Sequence, residues 1–555
     1  MVLISNVELP SQDDNIIRTK DLDVPINPKG LSFEIFKYMR KNADAIAQIK
    51  AECEESDTFQ SLLDRSIRVA SHLKQRNISS EDIILPCTTN DLNSIITLLA
   101  PVFIGAKVAC VDLSITVDDI REMLTITKPK LAFVFEEYEE KLEKIIEDLE
   151  LRTEIVVLGE TQKHTPFADF LKPLPKDEEE DFVLFEAKNL NDDAIIVFSS
   201  GLSGTPKAVG FSHLNVLSQL QRLASLGRNN TNFLTYSNLT WISTLINVLG
   251  SLISGNCRLI SSKFDPAMTW KYLVKYDIKN LVLPPRYALQ FLRYGNPEHL
   301  ETPNLRSVTV TGGSINNQHI IDLKKLFAHP TLVICPYNTT EVCGRVFAYD
   351  NIELLMNHPG SSGLPIAGLY YKIVDPITGN NCGPNKNGEL CIKSTFCASN
   401  YYNTDSPPEF FDEDGFLRTG DLAYYDANHF FYIIDKIDGL FLYEDSLLIP
   451  STLLESILYQ HPAVKIAAII AIHSNEEDIA MGVVVKKEST EDVTEGDLIT
   501  FFNDKVNDLH KIRGGIIFVN ESVIPYSATG KIRKRLLCKM ILEDFDDVDL
   551  SINIM

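Results

Sequence analysis

Apolar runs alternate with amphipathic segments along much of this chain, and that alternation constrains its fold more than any other feature. "IILPCTTND" and "AKVACVD" read as strands bracketing the helix "LNSIITLLAPVFIGA", and "PKLAFVF" and "TEIVVLG" as strands around the charged helix "YEEKLEKIIEDLE". Strands regularly separated by helices imply parallel sheets flanked by helices. Residues 31–76 carry helical periodicity, first in "LSFEIFKYMRKNADAIAQ" and then in "FQSLLDRSIRVASHLKQR". After the acidic, Pro-rich interval "KPLPKDEEEDF" the rhythm resumes and runs through "KNLVLPP" and "LRSVTVTGG".

Between about residues 360 and 434 the pattern changes to short strands with Gly, Asn and Pro turns, as in "LYYKIVDPITGNNCGPNKNGELCIKS", which predicts an antiparallel β subdomain. After Asp438 it becomes small α+β ("IPSTLLESILYQ", "VKIAAIIAIH", "AMGVVVKK", "LITFFNDKV", "GIIFVN"). With 555 residues, several subdomains are expected. No internal repeat is visible.

A net charge of −24 disfavours a phosphate-backbone partner, so no nucleic acid is expected, although small anions can bind in local pockets. The ten cysteines are scattered, without CxxC pairs or zinc-like spacing, and read as reduced thiols. No apolar window reaches the ~18 residues a membrane span needs. The N-terminus lacks the pattern of a secretory leader, and "SINIM" is not an S-K-L-type address, so cytoplasmic residence is the expectation.

The stretch "IIVFSSGLSGTPKAVGFSH" (195–213) carries the first chemical signal. Glycines let backbone N–H groups approach an anion, hydroxyls add donors and a lysine neutralises charge, a combination suited to polyphosphate. It is not a Walker loop, because Lys207 follows Pro206 and precedes Ala208 rather than Ser or Thr. Alone, the loop reads equally well as a Gly/Pro turn between two strands.

Four further segments follow it: "PYNTTEVCG" (336–344), "RTGDLAYYD" (418–426), "IIDKID" (433–438) and "PYSATGKIRKRLL" (525–537). In this order and spacing the five resemble the phosphate loop, Y-G-x-T-E segment, T-G-D motif, hinge and closing lysine motif of AMP-binding, adenylate-forming enzymes. The resemblance covers essentially the whole chain, and its nearest flavour is the insect luciferase-like and 4-coumarate–CoA ligase-like acyl-CoA synthetases. It implies an α/β fold: a large N-terminal adenylation domain (1–437) with doubly wound sheets plus a β-barrel-like subdomain, and a small, mobile α+β C-terminal domain (438–555) joined by a hinge at Asp438.

The implied chemistry is ATP- and Mg²⁺-dependent activation of a carboxylic acid, a fatty acid or related acyl substrate, to an acyl-adenylate, then transfer to CoA. The residues at matching positions take the family's roles by resemblance. Ser199, Ser200, Gly201, Ser203, Gly204 and Lys207 would hold the β- and γ-phosphates. Thr340 and Glu341 would sit near the α-phosphate, with Glu341 helping to hold Mg²⁺. Tyr337 would lie against adenine, Asp421 would accept the ribose hydroxyls, and Lys436 stands where an arginine contacts ribose. Lys531 would bridge the substrate carboxylate and the α-phosphate. Trp241 and Ser243 align with the acyl tunnel, while Thr311, Gly312, Gly313 and Ser314 in "TGGS" resemble the strand-end loop that borders adenine and acyl group. Relatives suggest a monomer or weak homodimer, and a peroxisomal address in some of them.

Taken singly, these residues have plainer readings: Asp421 as a turn aspartate, Lys531 as part of a solvated basic face, Thr340 and Glu341 as a helix cap, Trp241 as core. The chain also departs from the family. Leu202 and Ala208 replace a hydroxyl residue and a glycine in the loop, and Asn338, which tolerates left-handed backbone, replaces glycine. After the hinge, Leu442 replaces a lysine and Asp445 a glycine near the CoA channel. Adenylation is therefore expected to survive better than thioester formation, and an attenuated ligand-binding relative is the alternative.

Overall fold

A computed structural model describes residues 7–8, 14–20, 25–87, 89–173, 175, 181–199, 206–225, 231–313, 315, 317–349, 357–394, 397–398, 401–402, 411–437, 440–443, 447–473, 478–487, 490, 492–506, 510–526 and 532–545. Two seven-stranded sheets form its larger part. The first runs, in spatial order, Lys207–Ser212, Asp193–Ser199, Lys107–Ala109, Ile83–Pro86, Leu131–Phe135, Glu154–Leu158 and Thr165–Pro166. All neighbours are parallel except the first pair, an antiparallel hairpin. The second runs Leu332–Ile334, Ser307–Val310, Asn280–Leu283, Phe233–Thr235, Arg258–Ile260, Ile46–Lys50 and Ser56–Thr58, parallel except for its last pair.

Helices Leu31–Lys41, Phe59–Gln75, Ser94–Ile104, His213–Ser225 and Ile242–Ser254 contribute to one core together with strands of the first sheet. Ser94–Ile104 is apolar on every side and all eleven of its residues are buried, as a helix without a polar face must be.

One sequence expectation fails here. The helical reading of 31–48 ends at Lys41, and Ile46–Lys50 is a strand. Asn42 stops the helix: its N–H and its Nδ2 both donate to the Tyr38 carbonyl, at 3.1 and 2.9 Å. The chain then turns and pairs with Arg258–Ile260.

The expected antiparallel subdomain is a six-stranded sheet, Val7–Glu8, Ile17–Thr19, Tyr370–Val374, Gly388–Lys393, Leu417–Tyr425 and Phe431–Lys436. Its first two strands come from the start of the chain, which the turn pattern after 360 did not announce. A bridge between Gly363 and Phe431 carries the pairing on towards the small ladder of Phe347–Ala348 with Leu364–Pro365.

The smaller C-terminal part is a three-stranded sheet, Val464–His473, Asp478–Lys486 and Ile516–Phe518, with helices Ser451–Leu458, Glu495–Asn503 and Lys534–Phe545. Alternation along its first strand sends Ala467 and Ile469 into one core and Ala468 and Ile470 into another. This part touches the larger one: Arg533 Nη1 lies 3.4 Å from Asp119 Oδ2, and Ser451 Oγ donates to Asp435 Oδ2 at 3.3 Å. Among the described residues no helix is long and apolar enough to cross a membrane.

Candidate active site

The segment "IIVFSSGLSGTPKAVGF" folds as the antiparallel hairpin at the edge of the first sheet, with Ser199 and Lys207 opposite each other where its tip begins. Ser200, Gly201, Leu202, Ser203 and Gly204 lie outside the described residues. Tyr401 and Tyr402 run alongside: Tyr402 N–H donates to the Ala208 carbonyl at 2.8 Å, and Val209 bridges Tyr401. Lys207 Nζ sits 5.3 Å from the centre of the Tyr401 ring, a cation–π distance, and Ser199 Oγ is buried beside the Tyr401 phenol. The phenol is shifted up, first by burial and then by Glu341, whose Oε1 accepts its O–H at 3.3 Å.

Glu341 belongs to a single 3₁₀ turn, Thr340–Val342, which follows the short strand Asn338–Thr339. Thr339 Oγ1 donates to Glu341 Oε2 at 2.7 Å and fixes the carboxylate. Asn338 does not take the left-handed conformation that its replacement of glycine suggested. It lies in a strand paired with Gly344–Arg345, and the left-handed backbone falls at Cys343 (φ 60°) and Gly344 (φ 129°), where the ladder reverses.

Tyr337 O–H donates to Asp421 Oδ2 at 2.5 Å, and Lys436 Nζ lies 2.8 Å from Asp421 Oδ1. The pairing is dictated by strand register, since Asp421 and Lys436 face each other across the last two strands of the antiparallel sheet. Burial and the Asp421 carboxylate push the Tyr337 phenol well above its ordinary value. Asp421 is buried, whereas the Lys436 side chain is 43% exposed.

On the other side, Asn338 Nδ2 donates to Thr311 Oγ1 at 3.3 Å and Thr311 Oγ1 donates to Ser243 Oγ at 3.3 Å. Trp241 caps the helix Ile242–Ser254 and packs on Gly312, where a Cβ would come within 2.7 Å of its Cζ3. The Gly313 carbonyl accepts the Cys335 thiol at 3.3 Å. A narrow cavity of about 30 Å³ opens beside Ser243, Thr311 and Asn338.

The five residues 337–341 therefore touch three clusters: Ser199, Lys207 and Tyr401 at the hairpin, Asp421 and Lys436 in the antiparallel sheet, and Thr311, Ser243, Gly312 and Trp241 at the second sheet. Ser314, Asp438, Asp445 and Lys531 lie outside the described residues. Leu442 belongs to the strand Leu440–Tyr443, opposite Leu448. Sequence reasoning missed Tyr401 and Arg345, because no local pattern marks them; Tyr401 enters through its bridge to Val209 and Arg345 through its pairing with Asn338. Among the described residues no three His, Cys, Asp or Glu side chains gather as a metal cluster. Glu341 stands as a lone carboxylate, a donor set that fits Mg²⁺, which keeps waters and takes phosphate oxygens beside one or two carboxylates.

Two doubly wound sheets, an antiparallel sheet and a small C-terminal α+β part, with the hairpin strands, Asp421 and Lys436 gathered around the segment 337–341, define an adenylate-forming fold. The family of AMP-binding enzymes matches residues 35–402, and its C-terminal domain matches 453–531. The chain belongs to the AMP-binding enzyme family. It is 26% identical to luciferin 4-monooxygenase of Photuris pensylvanica, over 95% of this chain and 98% of that one. It is 24% identical to probable 4-coumarate–CoA ligase 2 of Dictyostelium discoideum, over 93% and 96%. The solved luciferase-like enzyme of the nonluminescent mealworm Zophobas morio is 29% identical, with TM-score 0.70, covering 76% of this chain and 99% of that one.

Proposed function

We propose that this chain is an acid–thiol ligase. A substrate carboxylate oxygen attacks the α-phosphorus of ATP, the α–β bridging P–O bond breaks and pyrophosphate leaves. The thiolate of CoA then attacks the acyl carbon, and AMP leaves with the electrons of the C–O bond. The observation that carries this reading is the contact of residues 337–341 with hairpin, antiparallel sheet and second sheet at once, since the reaction needs polyphosphate, nucleoside and acid held against each other.

In this reading Ser199 and Lys207, with Ser200, Gly201, Ser203 and Gly204, neutralise the β- and γ-phosphates. Thr340 donates near the α-phosphate, and Glu341 helps hold Mg²⁺, which supplies charge neutralisation. Tyr337 flanks adenine, with Gly313 along its edge. Asp421, presented by Lys436 and Tyr337, accepts the ribose hydroxyls. Lys531 meets both carboxylate and α-phosphate. The unit after the hinge at Asp438 brings Lys531 in, and the Arg533–Asp119 pair supports that reading by seating the adjacent chain on the larger part. The altered residues Leu442 and Asp445 favour a second reading, adenylation without efficient transfer to CoA.

Pyrophosphate exchange with a panel of acids, run beside detection of CoA thioester, tests both half-reactions. Exchange with at least one acid is expected, and Lys531→Ala should lower it more than Lys436→Ala. Absence of exchange with every acid overturns the reading, and exchange without thioester selects the second one.

A further inference from the structure

The Tyr401 phenol joins two parts of the site that sit on different elements. Its O–H donates to Glu341 Oε1 at 3.3 Å, and its ring meets the Lys207 ammonium, 5.3 Å from the ring centre. Backbone bonds seat it from both flanks. Ala398 N–H donates to the Glu341 carbonyl at 2.8 Å, Tyr402 N–H donates to the Ala208 carbonyl at 2.8 Å, and Tyr401 itself bridges Val209. Residues 398, 401 and 402 thus tie the 3₁₀ turn that carries Glu341 to the hairpin strand that begins at Lys207.

The Glu341 carboxylate receives one hydroxyl on each oxygen, Tyr401 on Oε1 and Thr339 on Oε2 at 2.7 Å. Two such donors stop the carboxylate turning about its terminal bond, and each oxygen keeps a lone pair for a cation. Thr339 is two residues from Glu341 and moves with it, whereas Tyr401 lies 60 residues away and relates the carboxylate to the hairpin. Burial and the Glu341 charge keep the phenol protonated, so it remains a donor. Resting on the adenylation reading above, we propose that Tyr401 is a positioning residue: its hydroxyl sets the Glu341 carboxylate for Mg²⁺, and its ring keeps Lys207 at a fixed distance from that carboxylate. ATP then meets metal and lysine at a spacing the protein has already set, as partners behind a metal ligand achieve elsewhere.

Calorimetric binding of ATP to the full chain, once with Mg²⁺ and once with EDTA, tests this without turnover. Tyr401→Phe removes one oxygen and keeps the ring on Lys207. It should raise the Kd for ATP in Mg²⁺ roughly 10- to 100-fold, the usual cost of losing a group behind a metal ligand, and leave the Kd in EDTA within about twofold. Tyr401→Leu removes the ring as well and should raise the Kd in EDTA too. In a Glu341→Ala background Tyr401→Phe should change neither Kd, because the carboxylate it serves is gone. An equal loss with and without Mg²⁺ makes the hydroxyl a structural tie and overturns the proposal. An unchanged Kd in both conditions overturns it as well, and so does a loss that persists beside Glu341→Ala. Wild-type pyrophosphate exchange with an unmoved Tyr401→Phe sinks the positioning role alone, whereas a wild type that neither binds ATP nor exchanges sinks the adenylation reading with it.

Discussion

Gly312→Ala is the sharpest test of how the acid side is built. Gly312 follows the strand Ser307–Val310 with φ at +92°, so an alanine there incurs left-handed backbone strain of roughly 1–2 kcal/mol. Its Cβ would also stand 2.7 Å from Trp241 Cζ3 and 3.0 Å from Cη2, well inside van der Waals contact. The ring must move or the strand end must yield, which in packed sites costs about 1–3 kcal/mol. The single variant should therefore lose roughly 2–5 kcal/mol. Trp241→Leu removes the aromatic ring and with it the overlap, but not the backbone strain. A double-mutant cycle should then show a coupling of about 1–3 kcal/mol in favour of the double variant. Urea unfolding followed by fluorescence can read all four proteins. The chain has two tryptophans, and Trp270, 2% exposed and stacked on Phe291, reports the same lobe when Trp241 is gone. Effects that add to within about 0.5 kcal/mol would refute the placement of the ring on Gly312.

The nucleoside side and the fold around it give two further expectations. Asp421→Asn keeps the shape but removes the charge that Tyr337 and Lys436 address, and the KM for ATP in pyrophosphate exchange should rise roughly 10- to 100-fold; an unchanged KM would remove Asp421 from the ribose role. His213 accepts the Leu31 N–H at Nδ1 (3.2 Å), and burial holds its pKa below the ordinary value. The unfolded chain then binds the proton more tightly. The contribution is complete above about pH 6.5 and is lost as pH falls towards the depressed folded value, with a slope of at most about 1.4 kcal/mol per pH unit. His213→Gln should flatten stability against pH in this window, measured by urea midpoints from pH 5 to 7.5; an identical slope in both proteins would sink the assignment.

The strand–helix rhythm was readable because parallel strands covered on both faces are continuous apolar runs, and Leu131–Phe135 or Glu154–Leu158 can hardly be anything else. It misled where a strand is short and lies near a sheet's edge. "AIAQ" continues the helical spacing of the preceding segment, and only the closure at Asn42 and the pairing with Arg258–Ile260 make it a strand. The strands Val7–Glu8 and Ile17–Thr19 were equally hidden, since they pair with each other and join the sheet only through Tyr370–Val374, far along the chain from Ile17–Thr19. The motif residues Tyr337, Glu341, Asp421 and Lys436 stood out because each sits in a recognisable word. Tyr401 and Arg345 did not, because what recruits them is pairing across strands rather than spacing along the sequence.

That difference bears on the reaction itself. The proposed attack needs the carboxylate and the α-phosphorus held about 3–3.5 Å apart. Two separately hinged supports could fix that distance only if the packing between them never slipped. Here neighbouring residues divide the work: Tyr337 reaches Asp421, Asn338 reaches Thr311, and Thr339 anchors Glu341. Successive residues of an extended segment point to opposite sides, so one short strand can face the nucleotide with one set of side chains and the acid with the other. The backbone between them spans single peptide units, whose length is covalently fixed. On this argument the two substrates of the proposed reaction are set against each other by one continuous piece of chain.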